Sequence, residues 1–573
     1  MGFLASDPME GLRVRDADLM EHDPVPGIVI LAALAVVLLA LGLFLRTLHP
    51  GVGPSLDSIE LQIAALVRGV IHPPGSPQYL ILGRLVMDLP LGGDEAFRLN
   101  LFSAASAALA VGLVFLTAYR MTRNLAASIF SAGLLALSAR LWYQASIAEL
   151  YALNALYVAA VAYLLLAWHQ TRQPVVYWAA ASIYALSFGN HLSMILLLPA
   201  YLYMVNVVDR TILTRPRNLA FHGVIVVVAA LQYLYIPLHA GAPFCNFCPG
   251  TPEGDLVGYL KGPLIDYLTG GPFKGALLAV PRSELLARLP ESIGQINTQF
   301  LPWGYMLGIV GVWELFKRRS ELAWFLVLAI VSSYLFVISY NIPDWHDFMT
   351  PVYVLFTPLI SYGVLRLWQL LEPQADELHL KGRLWAARAY PIALVLVGTL
   401  MLGFSWYVHL PQVDQSRQGT LISASEALLE HAAPDALFLM PRPSSPSFIY
   451  SWAVRYTAFA TDLAPGLRVV APPEVDPPPG PAPYYVRWAD AAPFLSPDAL
   501  LRNRPEVYVA DWADDRLEGW QLLPICTDRG HLAGYRVVAV LIEGEPHPIV
   551  DDAAWEAAQP YLFNGKGQAR CPK

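Results

Sequence analysis

The chain has 573 residues, of which 56% are hydrophobic and only 14% charged, where a soluble domain carries about a quarter. That shortage of charge excludes a disordered, collagen-like or small disulfide-framework protein and points to a multi-spanning membrane protein. The net charge of −8 argues against a nucleic-acid partner, which would require a basic footprint.

Residues 1–25 read as an acid-rich cytoplasmic tail, and no small-residue cleavage pattern follows the first apolar run. A spanning helix needs roughly 20 mostly apolar residues, and about eleven such stretches occur before residue 411. They are Pro26–Leu45, Leu99–Tyr119, Leu125–Leu141, Tyr151–Trp168, Val175–Phe188 and His191–Val208, then Leu219–Leu238, Phe300–Phe316, Leu322–Tyr340, Phe348–Trp368 and Tyr390–His409. Residues 26–410 are therefore expected to form a polytopic α-helical membrane domain, with a first outer loop at 47–98. Residues 411–573 read as a small extracytoplasmic α/β domain. Within it Thr420–His431 has helical spacing, and Ala436–Met440, Leu467–Ala471, Val507–Ala510 and Tyr535–Ile542 read as strands around a proline-dense linker, Pro472–Pro483.

Basic residues set the orientation. With the N-terminus in the cytoplasm, Arg13, Arg15, Arg120, Arg123, Arg172, Arg210, Arg215, Arg217, Lys317, Arg318, Arg319, Arg366, Lys381, Arg383 and Arg388 all fall inside. The four cysteines, Cys245, Cys248, Cys526 and Cys571, then all fall outside, in a disulfide-permissive compartment with three pairings open to them. The Cys245–Cys248 spacing also fits half a zinc site, but no second ligand pair lies nearby, and no metal is assigned.

Polar residues and chain breakers collect on the outer side. Asp57 and Glu60 are three apart, on one face of a short helix. They read either as capping groups, with Ser55 or Asp57 at the N-cap, or as a general base just above the bilayer. His72 precedes Pro73, Pro74 and Gly75 in a rigid turn, which also reads simply as a re-entry turn. Glu149 opens a span, Asn190 and His191 interrupt an apolar stretch, and Asp344 and Asp347 lie in the last short loop. Each has an ordinary structural reading. Their gathering on one face carries the argument, because polar residues at membrane depth are costly.

Asp57-Ser58-x-Glu60, His72-Pro73-Pro74-Gly75-x-Pro77, Arg98-Leu99-Asn100, Glu149-Leu150-Tyr151 and Gly189-Asn190-His191 together resemble a family of polytopic proteins first catalogued as a domain of unknown function. Its animal member is an endoplasmic-reticulum protein O-mannosyltransferase, and the family is similar to the C-type glycosyltransferase superfamily. The resemblance covers about residues 25–370. Ile59 stands where the family has glycine, and Ser76 where it has an aromatic residue.

The resemblance implies a membrane enzyme that moves a hexose from a polyprenyl-phosphate donor to a hydroxyl of a protein or glycan on the outer side, with inversion. It implies Asp57 as general base with Glu60 as helper or alternative. It further implies Arg98, His72 and His191 at the donor phosphate, and Glu149, Asn190 and Asp344 as sugar contacts. No cofactor is required by the pattern, and a divalent cation is admitted. The rivals are a lipid-linked sugar transporter, against which the lack of internal symmetry speaks, and a non-enzymatic assembly protein. With no retention signal apparent, a bacterial inner membrane is expected.

Overall fold

The computed structural model describes residues 25–563 except 252–253, 381–383, 446, 462, 465, 473–484, 487, 511–519, 528–530 and 543–544. The tail with Arg13 and Arg15, Lys381, Arg383, nearly all of the proline-dense linker and Cys571 lie outside the described residues.

In chain order the helices are α1 (Gly27–Arg46), α2 (Leu56–Val67), α3 (Pro77–Met87), α4 (Glu95–Thr122), α5 (Leu125–Ala136), α6 (Ala139–Ala145), α7 (Leu150–Thr171), α8 (Pro174–Ser187), α9 (Leu198–Val208) and α10 (Pro216–Ala230). Three short helices follow, α11 (Tyr235–His239), α12 (Leu256–Tyr259) and α13 (Ile265–Leu268). Then come α14 (Arg282–Arg318), α15 (Ser320–Ser339), α16 (Thr350–Leu380) and α17 (Leu384–Val413). The last part carries α18 (Thr420–Glu430), β1 (Leu437–Leu439), α19 (Phe448–Ala460), β2 (Arg468–Val470), β3 (Tyr485–Val486), β4 (Val507–Val509), β5 (Trp520–Cys526), β6 (Leu532–Ile542) and β7 (Glu545–Pro548). The chain divides into two compact units. One contains the chain up to Leu48, Ser103–Gln232 and Phe273–Asp414, and the other His49–Phe102, Tyr233–Pro272 and the chain from Gln415.

The first unit is helical. Among the described residues seven helices are long and apolar enough to cross a membrane, eight if the bent pair α5 and α6 is counted as one span. On α1, Leu31, Leu34, Leu38 and Leu39 are exposed, an apolar surface suited to lipid. The count falls short of eleven for local reasons. The predicted span Leu125–Leu141 bends by 65° between α5 and α6. Val175–Phe188 and His191–Val208 are helical but short. Phe300–Phe316 is the second half of α14, whose helix breaks at Leu301 (φ 57°) ahead of Pro302, where the ring removes a donor and crowds the preceding residue. α14 and α16 cross at bare backbone: a Cβ on Gly363 would lie 2.0 Å from the Leu307 carbonyl oxygen, and one on Gly311 1.9 Å from that of Leu359. Only glycine permits that approach.

The second unit combines residues 49–102, the segment 233–272 and the C-terminal sheet. The strand order is β3-β2-β1-β4-β6-β5, with β7 against β6. β1 pairs in parallel with β2 and β4, and β2 with β3, while β6 is antiparallel to β4, β5 and β7. The parallel strands need covered faces. Leu437, Leu439, Val507 and Val509 enter one apolar cluster, and Phe438, Val469 and Tyr508 the other, where Val454 and Ala458 of α19 cover them. Helix α18 and the four predicted strands β1, β2, β4 and β6 fall where the periodicity put them.

Candidate active site

Helix α2 starts at Ser55, whose side chain accepts the Ser58 N–H at 3.1 Å. Ser55 is therefore the N-cap, a contribution of about 1 kcal/mol, and Asp57 and Glu60 sit in the turn that follows. Glu60 is 3% exposed, and a buried carboxylate must be satisfied. It accepts the His72 backbone N–H at 2.8 Å and the Asn246 side-chain amide at 2.6 Å on one oxygen, and meets the His72 ring Nδ1 with the other. Asp57, Glu60 and His72 bring their ligand-type atoms within 4.8 Å of one another.

The turn that presents His72 is fixed from the segment 233–272. Pro73–Pro74 is cis, and Gly75 has φ 92°. A Cβ at Gly75 would lie 2.9 Å from Ile236 and 3.0 Å from the Tyr267 ring. Tyr267 is fully buried and donates its hydroxyl to the Ile71 carbonyl. Burial pushes that hydroxyl well above its ordinary pKa, with the Glu60 charge adding to the shift, so Tyr267 remains a donor.

Asn246 arrives on a loop tied down twice. Val70 N–H donates to the Phe244 carbonyl at 3.0 Å, and Asn246 N–H donates to the Val70 carbonyl at 2.9 Å. Cys245 and Cys248 form a disulfide around Asn246. Cys526 is also disulfide-bonded.

Arg98 lies in the same unit. Its guanidinium donates to the carbonyls of Met87 at 2.6 Å, Gly92 at 3.3 Å and Gly93 at 3.0 Å, closing the loop before α4. The remaining sequence-identified residues belong to the other unit. There Glu149 is buried at the start of α7, its N–H on Ser103 Oγ at 3.2 Å. Asn190 donates to the Leu150 carbonyl at 3.3 Å, and its Oδ1 is buried without a partner. The His191 ring packs on Tyr151 and Phe348, 5.6 and 5.3 Å between centroids. Asp344 is exposed in a turn. Its neighbour Asp347 is the paired carboxylate, taking Arg140 at 2.7 Å and Gln144 at 2.8 Å.

Asn246, Tyr267 and Arg140 are not among the residues singled out from sequence. The disulfide-type spacing around Asn246 was the one signal that pointed toward any of them.

The donor set of Asp57, Glu60 and His72, two carboxylates and an imidazole, fits a divalent cation of the Mn²⁺ or Zn²⁺ type. Such an ion would supply positive charge beside a departing phosphate. Without it, the same three groups offer a carboxylate to accept a proton and an imidazole whose orientation Glu60 fixes.

Residues 57–213 match the family model described as the protein O-mannosyl-transferase TMEM260 N-terminal domain. Over 105 residues the chain is 38% identical to protein O-mannosyl-transferase TMEM260 of Mus musculus, which is 18% of this chain and 15% of the mouse protein. The match thus spans about a seventh of that relative's length. The crystal structure of ArnT from Cupriavidus metallidurans bound to undecaprenyl phosphate superposes with a TM-score of 0.57 at 15% identity, over 89% of this chain and 97% of that one. The apo form of ArnT superposes equally well, at 14% identity. Residues 57–213, which carry Asp57, Glu60 and His72, are thus similar to the TMEM260 N-terminal domain, and the chain shares its fold with ArnT.

Proposed function

We propose that this protein is a membrane glycosyltransferase that transfers a hexose, mannose-like, from a polyprenyl-phosphate donor to a hydroxyl on the outer face of the membrane. The observation that carries the proposal is the Asp57–Glu60–His72 cluster inside the segment that matches an O-mannosyl-transferase domain. A fold shared with a protein crystallised with undecaprenyl phosphate supports a polyprenyl-phosphate donor. The acceptor is a protein Ser/Thr or a glycan hydroxyl. The basic inner loops support a cytoplasmic N-terminus and an outer C-terminal portion.

In the proposed reaction the acceptor oxygen bonds to the anomeric carbon as the bond from that carbon to the phosphate oxygen breaks. The acceptor proton passes to Asp57, the anomeric centre inverts, and polyprenyl phosphate leaves with the bonding pair. Glu60 is the helper, its oxygens taken by the His72 N–H, the His72 ring and Asn246. Its role is to hold His72 and fix the orientation of its ring. Arg98, bound to three carbonyls, keeps the α4 entry in place. In the other unit, Asn190 Oδ1 is buried without a partner and is suited to accept from a polar ligand.

The test is sugar transfer by the purified chain in lipid, with polyprenyl-phosphate-mannose and polyprenyl-phosphate-glucose as donors. Release of polyprenyl phosphate coupled to acceptor glycosylation supports the proposal. Donor movement across the bilayer without bond cleavage refutes it in favour of a transporter.

A further inference from the structure

We infer that Arg455, on helix α19 of the C-terminal portion, is a positioning residue for the candidate site, holding the 244–248 loop so that Asn246 meets Glu60. The inference rests on the glycosyl-transfer reading and assigns the C-terminal portion a part in it.

α19 is the crossover between β1 and β2, so the sheet fixes where it lies. Val454 and Ala458 face the core under Phe438 and Val469, and Thr457 is bonded to Ser425 of α18 at 2.7 Å. The helix packs against α2, which bears Asp57 and Glu60.

Arg455 is 5% exposed, an unusual position for a guanidinium. Its guanidinium carbon lies 5.1 Å from the ring centroid of Phe244 and 5.1 Å from that of Trp452. The two rings meet edge to face at 6.1 Å. Arginine is the residue suited to this packing, since its planar cation stacks on aromatic faces where lysine offers a point charge.

Phe244 is 1% exposed, and its carbonyl is the one bonded to Val70 N–H. Two residues on, the same loop delivers the Asn246 amide to Glu60. The path therefore runs from the sheet through α19 and Arg455 to Phe244, the Val70 bridge, Asn246 and Glu60, all within one compact unit. A purely packing role for Arg455 would affect stability alone. A positioning role makes Arg455 and Asn246 act on the same step.

The experiment compares wild type, Arg455→Met, Arg455→Lys, Asn246→Ala and the Arg455→Met/Asn246→Ala double variant, as full chains in lipid. Amide exchange over residues 68–72 and 240–250 is measured alongside steady-state transfer from polyprenyl-phosphate-mannose. Arg455→Met is expected to speed exchange at Val70 and Asn246. It is also expected to lower kcat about tenfold while donor KM stays within about twofold. Arg455→Lys recovers part of kcat, and the double variant is no slower than Asn246→Ala alone. Unchanged exchange, or kcat losses that multiply in the double variant, would overturn the inference. Should Arg455→Met fail to fold, Phe244→Leu removes the same contact from the loop side and is read by the same criteria. If wild type transfers no sugar, the glycosyl-transfer reading has failed. The exchange measurement then decides by itself whether Arg455 holds the loop.

Discussion

Glu60 holds His72 at two points, accepting its backbone N–H at 2.8 Å and contacting its ring Nδ1. The two residues are 12 positions apart, and the contact fixes both the turn and the orientation of the imidazole. Removing either side chain costs the other one of its partners: the buried Glu60 carboxylate loses the ring, or the ring loses the carboxylate that orients it. Glu60→Gln and His72→Ala are each expected to lower kcat/KM by about a hundredfold, and the double variant by little more than either. Steady-state kinetics on the three variants check this.

Asn246 comes to the same carboxylate from 186 positions further along the chain, inside the Cys245–Cys248 disulfide. Opening the ring frees the loop to rotate the amide away from Glu60. Cys245→Ser/Cys248→Ser, or treatment with a reductant, is expected to lower transfer about tenfold, and reoxidation of the reduced wild type to restore it. Activity measured against the thiol titre checks the link.

His49, just beyond α1, is 2% exposed. Its Nδ1 meets the Gly51 backbone, and burial lowers its pKa from 6.5 to about 4 against the raising effect of that bond. The unfolded chain therefore takes up a proton near pH 6.5 that the folded chain refuses until about pH 4. Stability is intact above pH 6.5 and falls as pH drops through this window, by up to about 3 kcal/mol. Thermal midpoints of wild type should fall steeply between pH 6.5 and 4, and those of His49→Gln less so. Equal slopes would contradict the assignment.

The oxygen and nitrogen donors of Asp57, Glu60 and His72 are expected to bind a divalent cation. Chelation should lower transfer about tenfold, added Mn²⁺ should restore it, and His72→Ala should lose the Mn²⁺ response. Mn²⁺ titration followed by calorimetry gives a readout independent of turnover.

The legibility of the site follows from distance along the chain. Asp57, Glu60 and His72 sit within one loop, and a spacing of three plus a proline–glycine turn suffices to bring them together. Asn246 and Tyr267 reach the same place through the Val70–Cys245 bridge and the contact with Gly75, pairings that no local pattern encodes. Arg98 read as a phosphate ligand because arginine at a span end suits one. Its engagement by three carbonyls depends on the path of the 87–93 loop.

In the fold, apolar runs located every span segment, but whether each crosses fully turned on breaks such as Leu301–Pro302. In the C-terminal portion the β-branched strands were legible. Helix α19 was not, because its run of Phe, Tyr and Trp after a Ser/Pro stretch carries little helical preference. Its burial on the sheet makes it a helix.

The measurement that bears most directly on the central claim compares wild type, Asp57→Asn and Glu60→Gln in lipid. Donor binding and release of polyprenyl phosphate are followed in parallel. The account predicts that Asp57→Asn binds donor as wild type does and loses transfer by more than about a thousandfold, while Glu60→Gln keeps measurable turnover. Transfer by Asp57→Asn at wild-type rate would contradict Asp57 as the base. Wild type that binds donor and cleaves none, with protein and glycan acceptors supplied, would contradict the enzyme itself.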